Sequence, residues 1–120
     1  MKKLLLAAAI ACVPSLVLAA DNSGVWTINA AFDSMGVKYV ATCTMKDDGT
    51  GKLSGPCHSD QGDSPATGSV AGTAFEITYG TTYQGTPVTL DYKGTIAADG
   101  TVAGTIDTGG PQGTFTASKK

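Results

Sequence analysis

The sequence predicts an all-β domain built as an eight-stranded antiparallel up-and-down barrel. Glycine and threonine dominate the chain after residue 20, and no stretch there has the pattern of a helix. Valine, tyrosine and phenylalanine recur instead in short alternating runs between turn signals, which is typical of strands and turns. Each run has one apolar face, and eight such faces indicate a single shared interior.

A cleaved signal peptide is predicted at residues 1–20, ahead of one domain at residues 21–120. The segment has a basic start, an apolar run and a small-residue end, at Lys2 and Lys3, 4–18, and Ala19 and Ala20. This is the layout of a secretory signal. The apolar run is shorter than the about 20 residues of a transmembrane helix. We therefore expect a periplasmic or secreted protein with no membrane span.

Seven turn signals divide the domain into eight predicted strands. Their approximate bounds are 24–32, 37–46, 52–58, 66–71, 74–82, 88–97, 101–108 and 113–118. Only the connection from Ser59 to Pro65 is of any length. Short connections favour a meander, and eight strands can close on themselves and remove their edges. A two-sheet sandwich, which usually needs longer crossovers, is the alternative.

The alternation assigns an inward face to every strand. By this parity no Asp, Glu, Lys or His within a strand points inward, although acid–base catalysis needs a positioned titratable group. His58 falls on the outward parity, and the turn from Asp60 to Asp63 lacks the spacing of a calcium loop. We therefore predict no catalytic residue, no metal site, no cofactor and no enzymatic activity.

Two cysteines are predicted to form a disulfide. Cys12 would leave with the signal peptide, although Ala9 to Cys12 loosely resembles a lipoprotein cleavage box. Cys43 and Cys57 then remain, both inward and equidistant from Thr50, and two cysteines in an oxidising compartment usually pair. Closing their loop would stabilise the fold by about 3 kcal/mol. Two free thiols in a metal or redox role are the alternative.

The charge balance argues against two kinds of polyanionic partner. Of the eight basic residues, all lysines, two would leave with the signal, so six face ten acidic residues and the net charge is −4. The chain contains no arginine, the residue that binds phosphate through bidentate hydrogen bonds. We therefore predict no binding to nucleic acid or to anionic membranes.

An inward aromatic set is the predicted ligand-binding site: Trp26, Tyr39, Phe75, Tyr79 and Tyr92. A buried tyrosine hydroxyl needs a hydrogen-bond partner. Three of them indicate hydrogen bonds among the tyrosines, a water-filled barrel opening or a pocket with polar ends. The inward Gly55, Gly94, Gly104 and Gly113 are expected to leave volume unfilled, and together these features permit a cavity. A packed core with hydroxyls reaching water at the barrel ends is the alternative.

Three short stretches of the sequence resemble known families. Gly24-Val25-Trp26 resembles the G-x-W opening of the lipocalins and avidins, the calycin barrels, in which the tryptophan plugs one end of the barrel. The residues from Ser23 to Trp26 and from Asp48 to Gly55, with cysteines on either side, also resemble small periplasmic inhibitors of secreted metalloproteases. Residues 113–117 match a G-x-[FW]-x-A ending common in secreted bacterial barrels.

From these observations we expect an exported, non-enzymatic, calycin-like barrel that binds a small, largely apolar ligand. The alternative is a protease inhibitor or protein-interaction module that acts through its loops or its N-terminus. The outward faces carry threonine and lysine rather than apolar residues, which argues against a barrel of the outer membrane.

Overall fold

The segments with alternating apolar and polar residues form the strands of one closed sheet. The computed structural model describes residues 21–120, so the predicted signal peptide lies outside the described residues. The strands are β1 (Gly24–Phe32), β2 (Val37–Asp47), β3 (Lys52–Ser59), β4 (Gly62–Ala71), β5 (Ala74–Tyr83), β6 (Thr86–Ile96), β7 (Val102–Asp107) and β8 (Gly113–Lys119). They follow each other around the barrel in chain order, and β8 pairs with β1. The predicted fold class is confirmed.

The interior is apolar, as the alternation predicts. Every side chain assigned to an inward face is buried or half-buried, and within residues 21–120 the buried set holds no charged residue. Tyr39 and Val88 are among the half-buried residues that pack against this core. Burial of one face per strand is what holds the pairing in register, since a slip by one residue would turn every core side chain to solvent.

The predicted loop from Ser59 to Pro65 is wrong, because β3 and β4 continue through it. Residues Ser59 and Gly62 are paired, so Asp60 and Gln61 alone form the turn. The polar composition and Pro65 had indicated a loop. The connection is a two-residue hairpin turn, as are the connections from β4 to β5 and from β5 to β6.

Both prolines in this hairpin lie at positions where no neighbouring strand needs a backbone N–H donor, so the N–H group that proline lacks is not missed. Pro56 is directly opposite Pro65. The pairing of β3 with β2 is interrupted between Cys57 and Ser54, which is where Pro56 lies, and the pairing of β4 with β5 begins only at Ala66. Proline is tolerated in strands at such breaks in the ladder, so the sequence signal for a loop was misleading.

The inward glycines do not leave free volume, and that expectation is wrong. A Cβ atom on Gly104 would lie 1.9 Å from the carbonyl oxygen of Lys93, and one on Gly94 would lie 2.6 Å from that of Ala103. Gly94 and Gly104 are directly paired across β6 and β7. Neighbouring backbone therefore occupies the space that side chains would take, and these glycines allow the close strand approach that a small, strongly coiled barrel needs.

The predicted disulfide is present. Cys43 and Cys57 are directly paired on β2 and β3, and a disulfide joins them. Both residues are buried in the core. The disulfide therefore joins β2 to β3 covalently, and it does so inside the barrel.

One carboxylate ties the N-terminal arm to the β2–β3 turn. The backbone N–H and side-chain amide of Asn22 donate to Asp47 Oδ2 at 3.1 and 3.2 Å. The N–H groups of Gly49 and Gly51 donate to Oδ1 at 2.8 and 3.0 Å, and the Asp47 N–H donates to Ser23 Oγ at 2.8 Å. The arm is thereby held against the barrel before β1 begins.

These donors predict acid sensitivity at Asp47. Hydrogen bonds from Gly49 and Asn22 lower the pKa of this carboxyl below its usual value. A lowered folded-state pKa stabilises the fold above the unfolded pKa of about 3.9, and that stability is lost as the pH falls below it. We expect Asp47→Asn to lose less thermal stability than the native chain between about pH 6 and pH 2.5.

Asp60→Asn, on the exposed β3–β4 turn, is the matched control and should follow the native pH profile. Thermal unfolding followed by circular dichroism would measure all three. An equal loss of stability in Asp47→Asn and the native chain would contradict the assignment.

Candidate functional site

The meander places alternate turns at opposite ends of the barrel. The β2–β3, β4–β5 and β6–β7 turns share one end with Gly24 and Lys119. The β1–β2, β3–β4, β5–β6 and β7–β8 turns share the other. We call these the closed end and the open end, because side chains fill the first and a cavity opens at the second.

Aromatic packing fills the closed end. The rings of Trp26 and Phe75 lie 5.0 Å apart between centroids, and both side chains are buried. The indole Nε1–H donates to the carbonyl of Asn22 at 3.2 Å, so its polar atom is paired. The ammonium of Lys119 lies 5.9 Å from the centre of the Trp26 ring, which is cation–π distance.

A cavity of about 230 Å³ occupies the open end. Its walls are mostly apolar side chains from β1, β2 and β6, namely Phe32, Val37, Val88 and Leu90. On the rim, Met35 and Tyr83 are 41% and 39% exposed. The exposed Lys38 and Asp60, of opposite charge, also border the opening.

Three hydroxyl groups are linked below the mouth, and we call Tyr39, Tyr92 and Tyr79 the tyrosine chain. The oxygens of Tyr39 and Tyr92 are 2.6 Å apart, and those of Tyr79 and Tyr92 are 2.9 Å apart. The rings of Tyr79 and Tyr92 stack at 5.6 Å, and Tyr92 meets Phe115 edge-on at 5.3 Å. Tyr39 and Tyr79 line the cavity, and Tyr92, which is fully buried, lies behind them.

Burial raises the pKa of all three hydroxyls above that of an exposed tyrosine. For Tyr39, Tyr79 and Tyr92 alike, removal from water is the largest cause, because it disfavours the charged phenolate. The tyrosine chain is therefore uncharged at neutral pH, and its hydroxyls act as hydrogen-bonding groups.

The five predicted ligand-binding residues divide between the two ends. Tyr39 and Tyr79 line the cavity, and Tyr92 joins them through its hydroxyl. Trp26 and Phe75 lie together at the closed end, away from the cavity. The structure thus brings the three tyrosines together and separates them from the other two residues.

Sequence reasoning missed part of the lining, although the signal was present. Four lining residues lie on the apolar faces that the alternation assigns to the interior, but the sequence analysis did not include them in the site: Phe32, Val37, Val88 and Leu90. In a meander, the end of β1 and the starts of β2 and β6 meet at the same end of the barrel, so strand position alone would have grouped them. Met35 and Tyr83, at the turns, carried no such signal.

No family model, curated protein or solved structure matches this chain. Among residues 21–120, no three His, Cys, Asp or Glu side chains come together in a way that could hold a metal ion. The same described part of the chain contains no helix with the length and hydropathy needed to cross a membrane.

Proposed function

We propose that this chain is an exported, non-enzymatic barrel that binds a small, largely apolar molecule in its open end. The observation that carries the proposal is the cavity itself, which is open at one end, walled by apolar side chains and lined deeper in by Tyr39 and Tyr79, whose hydroxyls are hydrogen-bonded to that of Tyr92. Ligand sites in proteins combine such an apolar wall with a few convergent polar groups.

The size of the cavity bounds the ligand. A dry, apolar cavity of about 150 Å³ accommodates benzene. The 230 Å³ available here therefore suits a molecule of roughly nine non-hydrogen atoms. A single aromatic ring with a short substituent, or a short branched chain, is the expected class of ligand.

The closed end supports the comparison with calycin barrels. In lipocalins an arginine packs against the tryptophan of the G-x-W motif. Here Lys119 lies over Trp26 and supplies the cation. A barrel with one end plugged and the other open has the general form of a ligand container.

The disulfide supports export. Disulfides persist in oxidising compartments such as the periplasm or the extracellular medium, and Cys43 and Cys57 are bridged. This agrees with the signal peptide that the sequence predicts at residues 1–20 and with a periplasmic or secreted location.

A protein partner is the alternative to a small ligand. The exposed Met35 and Tyr83 on the rim are the apolar side chains that it would contact. Inhibition of a protease by the N-terminal arm has less support, because Asn22 and Ser23 are hydrogen-bonded to Asp47 rather than projecting from the barrel.

Two experiments test the proposal. Native mass spectrometry of the protein purified from its own host would detect a co-purified molecule, and amide chemical shifts would follow a titration with the probe α-methylstyrene. We expect shifts confined to the open end. Val88→Trp should fill the cavity and weaken probe binding by at least about tenfold. The matched control is Val40→Trp, on the outer face of β2 where Val40 is 51% exposed, and it should bind normally. Absence of a co-purified molecule together with no probe uptake would contradict the proposal.

A further inference from the structure

The tyrosine chain contains more donor protons than its own hydrogen bonds use. Three phenolic hydroxyls carry three protons, and two hydrogen bonds link them. Each of those bonds uses one proton, so one O–H has no acceptor within the chain. The position of that spare proton determines what the floor of the cavity offers to a ligand.

Burial decides where the spare proton lies. Tyr92 is fully buried between its two partners, and a buried hydroxyl that donated to neither would leave its proton unpaired at a high cost. Tyr92 therefore donates to one neighbour and accepts from the other. The spare O–H falls on Tyr39 or Tyr79, both of which line the cavity. Tyr39 is half-buried and its hydrogen bond to Tyr92 is partly buried, whereas Tyr79 and its hydrogen bond to Tyr92 are buried.

We propose that the ligand carries an uncharged hydrogen-bond acceptor, a ketone, aldehyde or ester carbonyl oxygen, which the spare hydroxyl of the tyrosine chain binds. This inference rests on the proposed function and narrows it to a class of ligand. The molecule enters polar group first, and its apolar part lies against Phe32, Val88 and Leu90.

The charges around the cavity argue against an anionic ligand. The floor consists of neutral hydroxyls, and burial raises their pKa further. The charged residues of the lining, Lys38 and Asp60, are exposed at the rim and opposite in sign. A carboxylate at the floor would lose its hydration without gaining a cation beside it, which is unfavourable. A neutral carbonyl group loses far less hydration free energy than a carboxylate does, and it regains one hydrogen bond from the spare hydroxyl.

Three probes of equal size separate these possibilities: acetophenone, its hydrocarbon isostere α-methylstyrene, and benzoate. Their dissociation constants are measured by chemical-shift titration on the native protein and on the triple variant Tyr39→Phe/Tyr79→Phe/Tyr92→Phe. Removing all three hydroxyls together leaves none unpaired, so the variant is expected to fold. Its uptake of α-methylstyrene checks independently that the cavity persists.

We expect the triple variant to bind acetophenone about fivefold more weakly and α-methylstyrene with unchanged or higher affinity. Benzoate should bind the native protein at least about tenfold more weakly than acetophenone. The control Thr67→Val removes an exposed hydroxyl from the outer face of β4, away from the residues that line the cavity, and should alter neither affinity.

The outcomes distinguish this inference from the proposed function. If α-methylstyrene binds the native protein but the triple variant binds acetophenone as tightly as before, the carbonyl inference is overturned and the apolar cavity stands. Tighter binding of benzoate than of acetophenone would overturn it as well. If neither α-methylstyrene nor acetophenone binds the native protein, the proposed function fails and the inference fails with it.

Discussion

Replacing Gly104 with alanine is expected to prevent formation of the native barrel or to lower its free energy of unfolding by at least about 3 kcal/mol. The added Cβ would lie 1.9 Å from the carbonyl oxygen of Lys93 and 2.5 Å from Cα of Gly94. Both neighbours are backbone atoms, so no flexible side chain can move aside. The variant therefore forms only if β6 and β7 separate, and this would break their ladder.

Gly80→Ala is the matched control, since Gly80 also lies within a strand. There the nearest atom to an added Cβ is the carbonyl oxygen of Val88 at 3.8 Å, an ordinary contact. Alanine should be neutral or slightly stabilising at this position, because it restricts the unfolded chain. Thermal unfolding measures both variants, and we expect a drop of about 15 °C or more for Gly104→Ala. Equal unfolding temperatures for the two variants would contradict the assigned role of Gly104.

Removal of the disulfide is the second large effect that we expect. The bridge joins Cys43 to Cys57, 14 positions apart, and loop closure of this length contributes about 3 kcal/mol by restricting the unfolded chain. The variant Cys43→Ala/Cys57→Ala should unfold about 10–20 °C below the native protein. Since the two residues are directly paired and buried, the barrel itself should keep its strand order.

Reduction separates the covalent bond from the change in side chains. A thiol reductant should lower the unfolding temperature of the native protein towards that of the double variant and should leave the double variant unchanged. An unfolding temperature of the native protein that does not respond to complete reduction, verified by thiol counting, would show that the bridge does not stabilise the barrel.

The local pattern was enough to predict most of the barrel. Residues such as Ile28, Ile77 and Ile106 alternate with polar neighbours, and all three are fully buried. The disulfide followed from the same parity and from the equal distance of both cysteines from the turn at Thr50. These features depend on the period of a strand and on short turns, which neighbouring residues determine.

Pairing across the barrel was harder to predict. The hairpin at Asp60 and Gln61 was missed because proline and polar residues are typical of loops. A proline breaks a strand only where the neighbouring strand needs its backbone N–H as a hydrogen-bond donor. Here the ladder with β2 is interrupted at Pro56, and the ladder with β5 begins only after Pro65, so neither N–H is needed. Such a condition involves β2 and β5 and cannot be seen in the hairpin alone.

By itself the sequence determined the all-β class, the strand order, the apolar interior and the cysteine pair, because each depends on residues close in the chain. Only the tertiary structure decided which end of the barrel is open and what occupies the interior. Trp26 and Phe75 meet at one end, the hydroxyls of Tyr39, Tyr79 and Tyr92 meet deeper in, and a cavity remains beyond them. That division depends on side-chain volumes from strands far apart in the sequence, which only the closed sheet brings together.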